Sequence, residues 1–277
     1  MVVDRPGLLQ HLREIGRLDD GAIDIGETAL LLAALDRPGV PLEPYRESLA
    51  LIAAEARAST GRTHSVDMQI AALTRLLAGD WDLRGDEETY DDPRNANLMH
   101  VLDRRRGLPV ALGILWIHAG RAYGGNMDGL AFPSHFLVRL AARGQRAILD
   151  VFRGGTVLQP EDLRRMIKEL LGPDKEIEPI HYAAVSARDV LIRLQNNIKL
   201  RALAADDPAR ALEVLQSMVA IAPDHSELWW ETAQLQSRLG NLKTAIATLE
   251  GFLAGEATGS GHSRIEDLLR QLRSRVN

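Results

Sequence analysis

The chain has 277 residues, 45% of them hydrophobic, enough for one large or two ordinary packed domains. Its 33 Lys and Arg against 38 Asp and Glu leave a formal charge of -5, which offers no whole-chain attraction to nucleic acid or to an anionic membrane. It contains no cysteine, and so disulfides, thiolate metal sites and thiol nucleophiles are excluded together.

The opening MVVDRPGLLQHLREIG mixes acidic and basic residues and has no apolar run of signal-peptide length, so a cytoplasmic protein is expected. The richest apolar stretch, Val110 to Ala119, is about half of the roughly 20 residues a membrane span needs, and His118 interrupts it. Helical periodicity marks TALLLAALDR and PYRESLALIAAEARAS, with Pro38, Gly39, Pro41 and Pro44 forming the loop between them. VDMQIAALTRLLAG is a further helix, with Gly79 placed as a left-handed C-cap. Residues 1–80 are thus expected to form a helical region packed on the core that follows.

Trp81 to Arg94 is polar and turn-rich and reads as a surface loop. Asn95, a good capping residue, opens a short helix to Arg105, which Gly107 stops. Arg104, Arg105 and Arg106 form a local basic patch at that helix end, where positive charge complements the dipole. Pro109 suits the first turn of a mostly buried helix, VALGILWIHAGRAYG, closed by Gly124 and Gly125. The period then changes: SHFLVRL and RAILDVF read as the two strands of a hairpin turning at Arg143 and Gly144. Residues 81–182 are expected to form this core.

From Ser186 the helical period returns. Ala211 and Ala245, Leu215 and Leu249, and Asp206 and Gly240 are pairs 34 positions apart, the tetratricopeptide period. Residues 186–277 therefore read as two helical hairpins and a capping helix, SRIEDLLRQLRSRV, a marginal number for a free-standing solenoid. Trp229 and Trp230 are adjacent, so one is expected to pack in the repeat core and the other to face a partner peptide.

The middle segment resembles the bacterial SirB family. The likeness is carried by Tyr90, Asp92-Pro93-Arg94-Asn95, Leu98, Val101-Leu102, Arg106-Gly107-Leu108-Pro109, Phe132-Pro133, His135-Phe136-Leu137-Val138-Arg139, Leu149-Asp150 and Gly154-Gly155. It implies an α+β, mainly helical fold, in which a papain/transglutaminase-like core with a small antiparallel sheet precedes an α-helical tetratricopeptide hairpin array. In active members of the wider superfamily a cysteine at the start of the central helix works with a histidine and an aspartate on successive strands. The resemblance assigns those partners to His135 and Asp150 and the nucleophile position to Pro109–Ala111, with Ala111 the best match; alanine has nothing to donate.

A hairpin turning at Gly144 sets His135 opposite Phe152, with Asp150 as its diagonal neighbour. Three roles are open to this pair: a structural relic, a ligand-binding end of a former cleft, or catalysis with another nucleophile. Ser134 is a poor nucleophile for it, because adjacent strand residues point to opposite faces. His118, on the apolar helix, reads as a hydrogen-bonded core residue. Tyr90, Arg94 and Asn95, near the start of the central helix, join His135, Trp229 and Trp230 as candidate binding residues.

The eight histidines show no metal-ligand spacing, no glycine-rich phosphate loop follows a strand, and 4% aromatic content gives no stacking platform for nucleic acid. No cofactor or metal is expected, and the expected partner is a protein or peptide. The reading is a non-catalytic binding or scaffold protein, with a hydrolase or acyl-transfer enzyme using a non-cysteine nucleophile as the alternative.

Overall fold

A computed structural model describes residues 4–59, 65–255 and 261–275. In chain order the elements are α1 (Arg5–Gly16), α2 (Ile25–Ala34), α3 (Glu43–Ala58), α4 (Val66–Thr74), β1 (Arg84–Gly85), α5 (Leu98–Arg104), β2 (Arg106–Gly107) and α6 (Pro109–Ala122). There follow β3 (Asn126–Leu130), β4 (Val138–Ala142), β5 (Gln145–Asp150), β6 (Thr156–Leu158), α7 (Pro160–Leu171), β7 (Ala184–Val185) and α8 (Ala187–Ala204). The last four are α9 (Pro208–Ile221), α10 (Ser226–Arg238), α11 (Leu242–Leu253) and α12 (His262–Ser274). The described residues form two compact units, one within residues 4–5 and 20–194 and the other within residues 6–19 and 195–275.

The first unit is mainly helical around a five-stranded antiparallel sheet of order β6-β5-β4-β3-β7. Its centre is α6, where every residue from Val110 to Ile117 is buried. An apolar helix of this kind is stable only when covered on all sides, and glycines set how closely the cover approaches. A Cβ on Gly113 would lie 2.1 Å from Cε1 of Phe136, and one on Gly120 would lie 2.8 Å from Sδ of Met127 in β3. On the α2 side, Gly26 leaves room for His118, whose Nε2–H donates to the carbonyl of Leu49 at 3.0 Å. Helix α7 packs by Leu163 and Ile167 against Leu130, Phe132 and Leu137.

The β4–β5 hairpin turns at Arg143 and Gly144, both with positive φ, and pairs Val138 with Leu149. Consecutive left-handed residues are what a two-residue turn of the twist-matched kind requires. Three local expectations are corrected. Strand β4 begins at Val138 rather than at Ser134, since Pro133 has no N–H to offer a ladder and Ser134 has φ +55. Gly79 is not a left-handed cap: α4 runs into a wider helical turn, Arg75–Asp80, and the chain reverses at Asp82 with φ +48. The cap of α5 is Asn97, whose side chain accepts from the backbone N–H of His100, and not Asn95.

In the second unit the last part of α8, from Gln195, meets α9 where the Ser217 hydroxyl donates to the Gln195 side chain, α9 packs on α10, and α10 and α11 form a hairpin that α12 closes. Ala211 and Ala245, the 34-residue pair, are both fully buried. Ala245, Leu249, Phe252, Ile265, Leu269 and Leu272 belong to one apolar cluster that joins the second hairpin to α12. Helix α1 contributes buried Leu8 and Leu12 and meets α9 through Gly16, where a Cβ would lie 2.2 Å from the carbonyl oxygen of Ala220.

The glycine contact under Phe136 is testable. Gly113→Ala should cost about 1–3 kcal/mol by overpacking, measured by urea denaturation. In the double variant with Phe136→Leu the two losses should be less than additive by at least about 0.5 kcal/mol; strict additivity would show that the two side chains do not share this space.

Candidate functional site

The polar stretch from Trp81 to Arg94 is not a free surface loop. Leu83 is fully buried and Asp86 is 6% exposed, and β1 pairs in parallel with β2 just after α5. The three consecutive arginines hold this stretch, each through a different partner. Arg104 donates to a carboxylate oxygen of Asp86 at 3.1 Å and to Oδ1 of Asn95 at 2.9 Å. Arg105, at the left-handed C-cap of α5, lies over the Trp81 ring at 4.5 Å, and Arg106 donates to the backbone and carboxylate of Asp82.

Asn95 is fully buried and lies at the centre of the network. Its Nδ2 donates to the carbonyl of Thr89, its Oδ1 accepts from Arg104, and its backbone carbonyl accepts from the N–H of Leu108, the N-cap residue of α6. Asp92 caps the short helical turn Pro93–Ala96 and takes Arg94 in a two-oxygen ion pair. The Asp92-Pro93-Arg94-Asn95 segment thereby fixes where α6 begins.

Burial works against the charge on Asp86, but hydrogen bonds from the hydroxyl and backbone of Thr89, from Asn95 and from Arg104 outweigh it and bring the pKa to about 2. Removal of any partner would leave a buried carboxylate under-satisfied.

Ala111 is fully buried in the first turn of α6 and presents no polar atom. His135 and Asp150, expected to lie side by side, are not hydrogen-bonded to each other. Asp150, at the end of β5, accepts from the backbone N–H groups of Phe152 and Arg153 and pairs with the Arg153 side chain at 3.8 Å. It caps the turn that carries Gly154 and Gly155, both with positive φ. A Cβ on Gly155 would lie 2.2 Å from Cη2 of Trp116 on α6.

His135 is exposed and lies ahead of β4 in the bend after Pro133. Its carbonyl accepts from Arg193 of α8 at 2.6 Å, and its ring meets Phe132 edge-on. The alternation that would set His135 beside Asp150 does not extend back beyond Val138.

Tyr90 packs edge-on against Phe152, centroids 5.9 Å apart. Of the residues singled out in the core, Tyr90 thus stands against the Phe152 turn, while Arg94 and Asn95 belong to the network around Asp86. That network borders an open cleft of about 780 Å³ lined by Arg84, Asp86, Arg104, Arg106, Phe152 and Arg153, among others. Asp86, Phe152 and Arg193 carry no motif signal of their own. Their roles emerge only when three distant segments meet.

Trp229 and Trp230 are both partly buried. Trp229 donates its indole N–H to the carbonyl of Pro223 at 2.7 Å, and Trp230 lies under the guanidinium of Arg264 at 3.7 Å. Among the described residues no group of three or more His, Asp or Glu is arranged to hold a metal ion, and no helix is long and apolar enough to cross a membrane.

A buried helix whose start is fixed by a polar network, an antiparallel sheet laid on it and a following array of helical hairpins define a transglutaminase-like core joined to tetratricopeptide repeats. Residues 43–196 match the transglutaminase-like superfamily, and residues 198–275 match a tetratricopeptide repeat family. The chain is 31% identical over 207 residues to a UPF0162 protein of Vibrio cholerae, covering 74% of this chain and 76% of that one. It is 27% identical over 249 residues to a UPF0162 protein of Xylella fastidiosa, covering 89% of each. F-box only protein 21 of Mus musculus is 26% identical over 180 residues, which are 61% of this chain and 28% of that protein. The chain belongs to the UPF0162 family of the transglutaminase-like superfamily.

The Asp86 network makes a pH-dependent prediction. Its folded pKa lies below the ordinary value of 3.8, so the stability it confers is complete above about pH 4 and is lost as pH falls toward about 2. The gap in urea midpoint between wild type and Asp86→Asn should therefore be widest above pH 5 and shrink steadily as pH falls to about 2. Arg104→Ala should cost about 2 kcal/mol at neutral pH. A midpoint gap that does not change with pH would remove Asp86 from this role.

Proposed function

We propose that this chain is a SirB-type, non-catalytic transglutaminase-like protein that binds a protein or peptide partner. The observation that carries the reading is the chemistry at the start of α6. There is no cysteine anywhere in the sequence, and Ala111, the position the resemblance favours within Pro109–Ala111, is buried and without a donor.

The surroundings support it. A thiol nucleophile needs a neighbouring imidazole to take its proton and a carboxylate to orient that imidazole. Here Asp150 is engaged in its own turn, and His135 is exposed on a bend anchored by Arg193. Tetratricopeptide helices bring protein-binding capacity, because stacked hairpins present a continuous surface between them. On this reading His135, Tyr90 and Arg94 belong to a recognition surface beside the core, and Trp229 and Trp230 to one on the repeats.

Purified full-length protein should select peptides from a displayed library and hydrolyse none of a panel of amide and ester substrates. Turnover of such a substrate that His135→Ala abolishes without loss of fold would sink the proposal and favour an enzyme with a non-cysteine nucleophile.

A further inference from the structure

Inside the second unit, a groove of about 540 Å³ opens beside α1. One wall is α10 and the start of its hairpin: Trp229, Thr232 and Gln236, with Pro223 at the end. The indole of Trp229 is fixed by its bond to the Pro223 carbonyl and by Phe252, 5.8 Å from its ring, so this wall is rigid and largely apolar. The polar groups on it are occupied locally: Thr232 donates to the carbonyl of Leu228, and Gln236 accepts from Thr248.

The opposite rim is α1. With Leu8 and Leu12 buried and Gly16 against α9, the helix is held at a rotation that places Arg13 and Arg17, one turn apart, along the groove. Among the described residues these two are the charged groups lining it, both side chains are exposed, and neither guanidinium has a hydrogen-bond or ion-pair partner. The adjacent Glu14, which could have neutralised them, instead accepts from Gln10 at 3.1 Å.

We infer that this groove binds an acidic peptide segment: Arg13 and Arg17 take two of its carboxylates while an apolar side chain lies against Trp229. The inference rests on the peptide-binding reading above and names the chemistry of the partner. Arginine holds carboxylates through paired N–H donors, and two guanidiniums one helical turn apart match carboxylates spaced along an extended chain. Trp229 and Pro223 favour a ligand that also carries an apolar side chain, and the chain's overall charge of -5 disfavours a nucleic-acid backbone.

The test is fluorescence anisotropy on the full chain with fluorescein-labelled octapeptides of alternating Glu and Leu, alternating Gln and Leu, and alternating Lys and Leu. The Glu peptide should bind at least about tenfold more tightly than the Gln peptide, and Arg13→Gln/Arg17→Gln should remove that advantage. Arg13→Glu/Arg17→Glu should reverse the preference toward the Lys peptide. Since both residues are exposed, melting temperature and circular dichroism should stay at wild-type values; the single Arg17→Gln variant, with a partial loss, covers a double variant that fails to fold. Equal binding of Glu and Gln peptides, undiminished binding by the variants, no binding of any peptide, competition by an oligonucleotide stronger than by unlabelled Glu peptide, or a signal explained by self-association in sedimentation would each overturn the inference. Panning a displayed library on the Arg13→Gln/Arg17→Gln protein separates the two claims. Peptides still enriched would leave the binding function standing without this groove, and none enriched from either protein would remove both.

Discussion

Helix α6 is the constraint on which the first unit depends. It exposes almost no polar surface of its own, so every neighbour must be apolar or glycine, and at Gly113, Gly120 and Gly26 the neighbours come within what a Cβ would occupy. Protein interiors are packed to crystal-like density, and a contact set this closely leaves little freedom in the angle at which the sheet lies on the helix. The positions of β3, of Phe136 and of the Phe152 turn are therefore coupled through one helix.

A buried apolar helix still needs something to fix where it starts, and apolar packing alone is not directional. That task falls to polar groups. Asn95 holds the backbone N–H of Leu108 and, with Arg104, closes the network onto Asp86. A fully satisfied polar cluster of this kind specifies a unique arrangement where hydrophobic contacts would tolerate several. The motif segments Asp92-Pro93-Arg94-Asn95 and Arg106-Gly107-Leu108-Pro109, with Arg104 ahead of the second, are read most directly as parts of one device that sets the start of α6.

Much of this is legible in the amino-acid order. The α6 boundaries follow from Pro109 and the paired glycines, the hairpin register follows from Arg143-Gly144, and the 34-residue spacing places Ala211 and Ala245 in buried positions. Helix α7 carries signals of the same kind, since Pro160 opens it, Gln159 and Asp162 cap it reciprocally, and Leu163 and Ile167 lie one turn apart. Strand β3, Asn126–Leu130, carries none: Asn, Asp and Gly are poor strand formers, and the segment is extended because Gly129 admits Phe136 and Val190. The misplacement of His135 has a similar origin. Alternation along a strand tells which residues share a face only while the strand continues, and the backbone of Pro133 and Ser134 ends it first. Long-range partners such as Arg104 for Asp86 or Arg193 for the His135 carbonyl leave no periodic trace.

The same geometry explains why the fold does not depend on a nucleophile at position 111. Ala111 contributes only a methyl group to a packed helix, whereas His135 and Asp150 each have structural work that does not require the other: one presents its carbonyl to Arg193, the other caps a glycine turn against Trp116. In a working triad the three residues are energetically interdependent, and a change at one alters the protonation of the rest. Here no hydrogen bond links His135 to Asp150. What holds the core together is the packing and polar anchoring of α6, and those forces would persist whichever small residue stood at position 111. A transglutaminase-like scaffold held in this way does not draw its stability from catalytic groups.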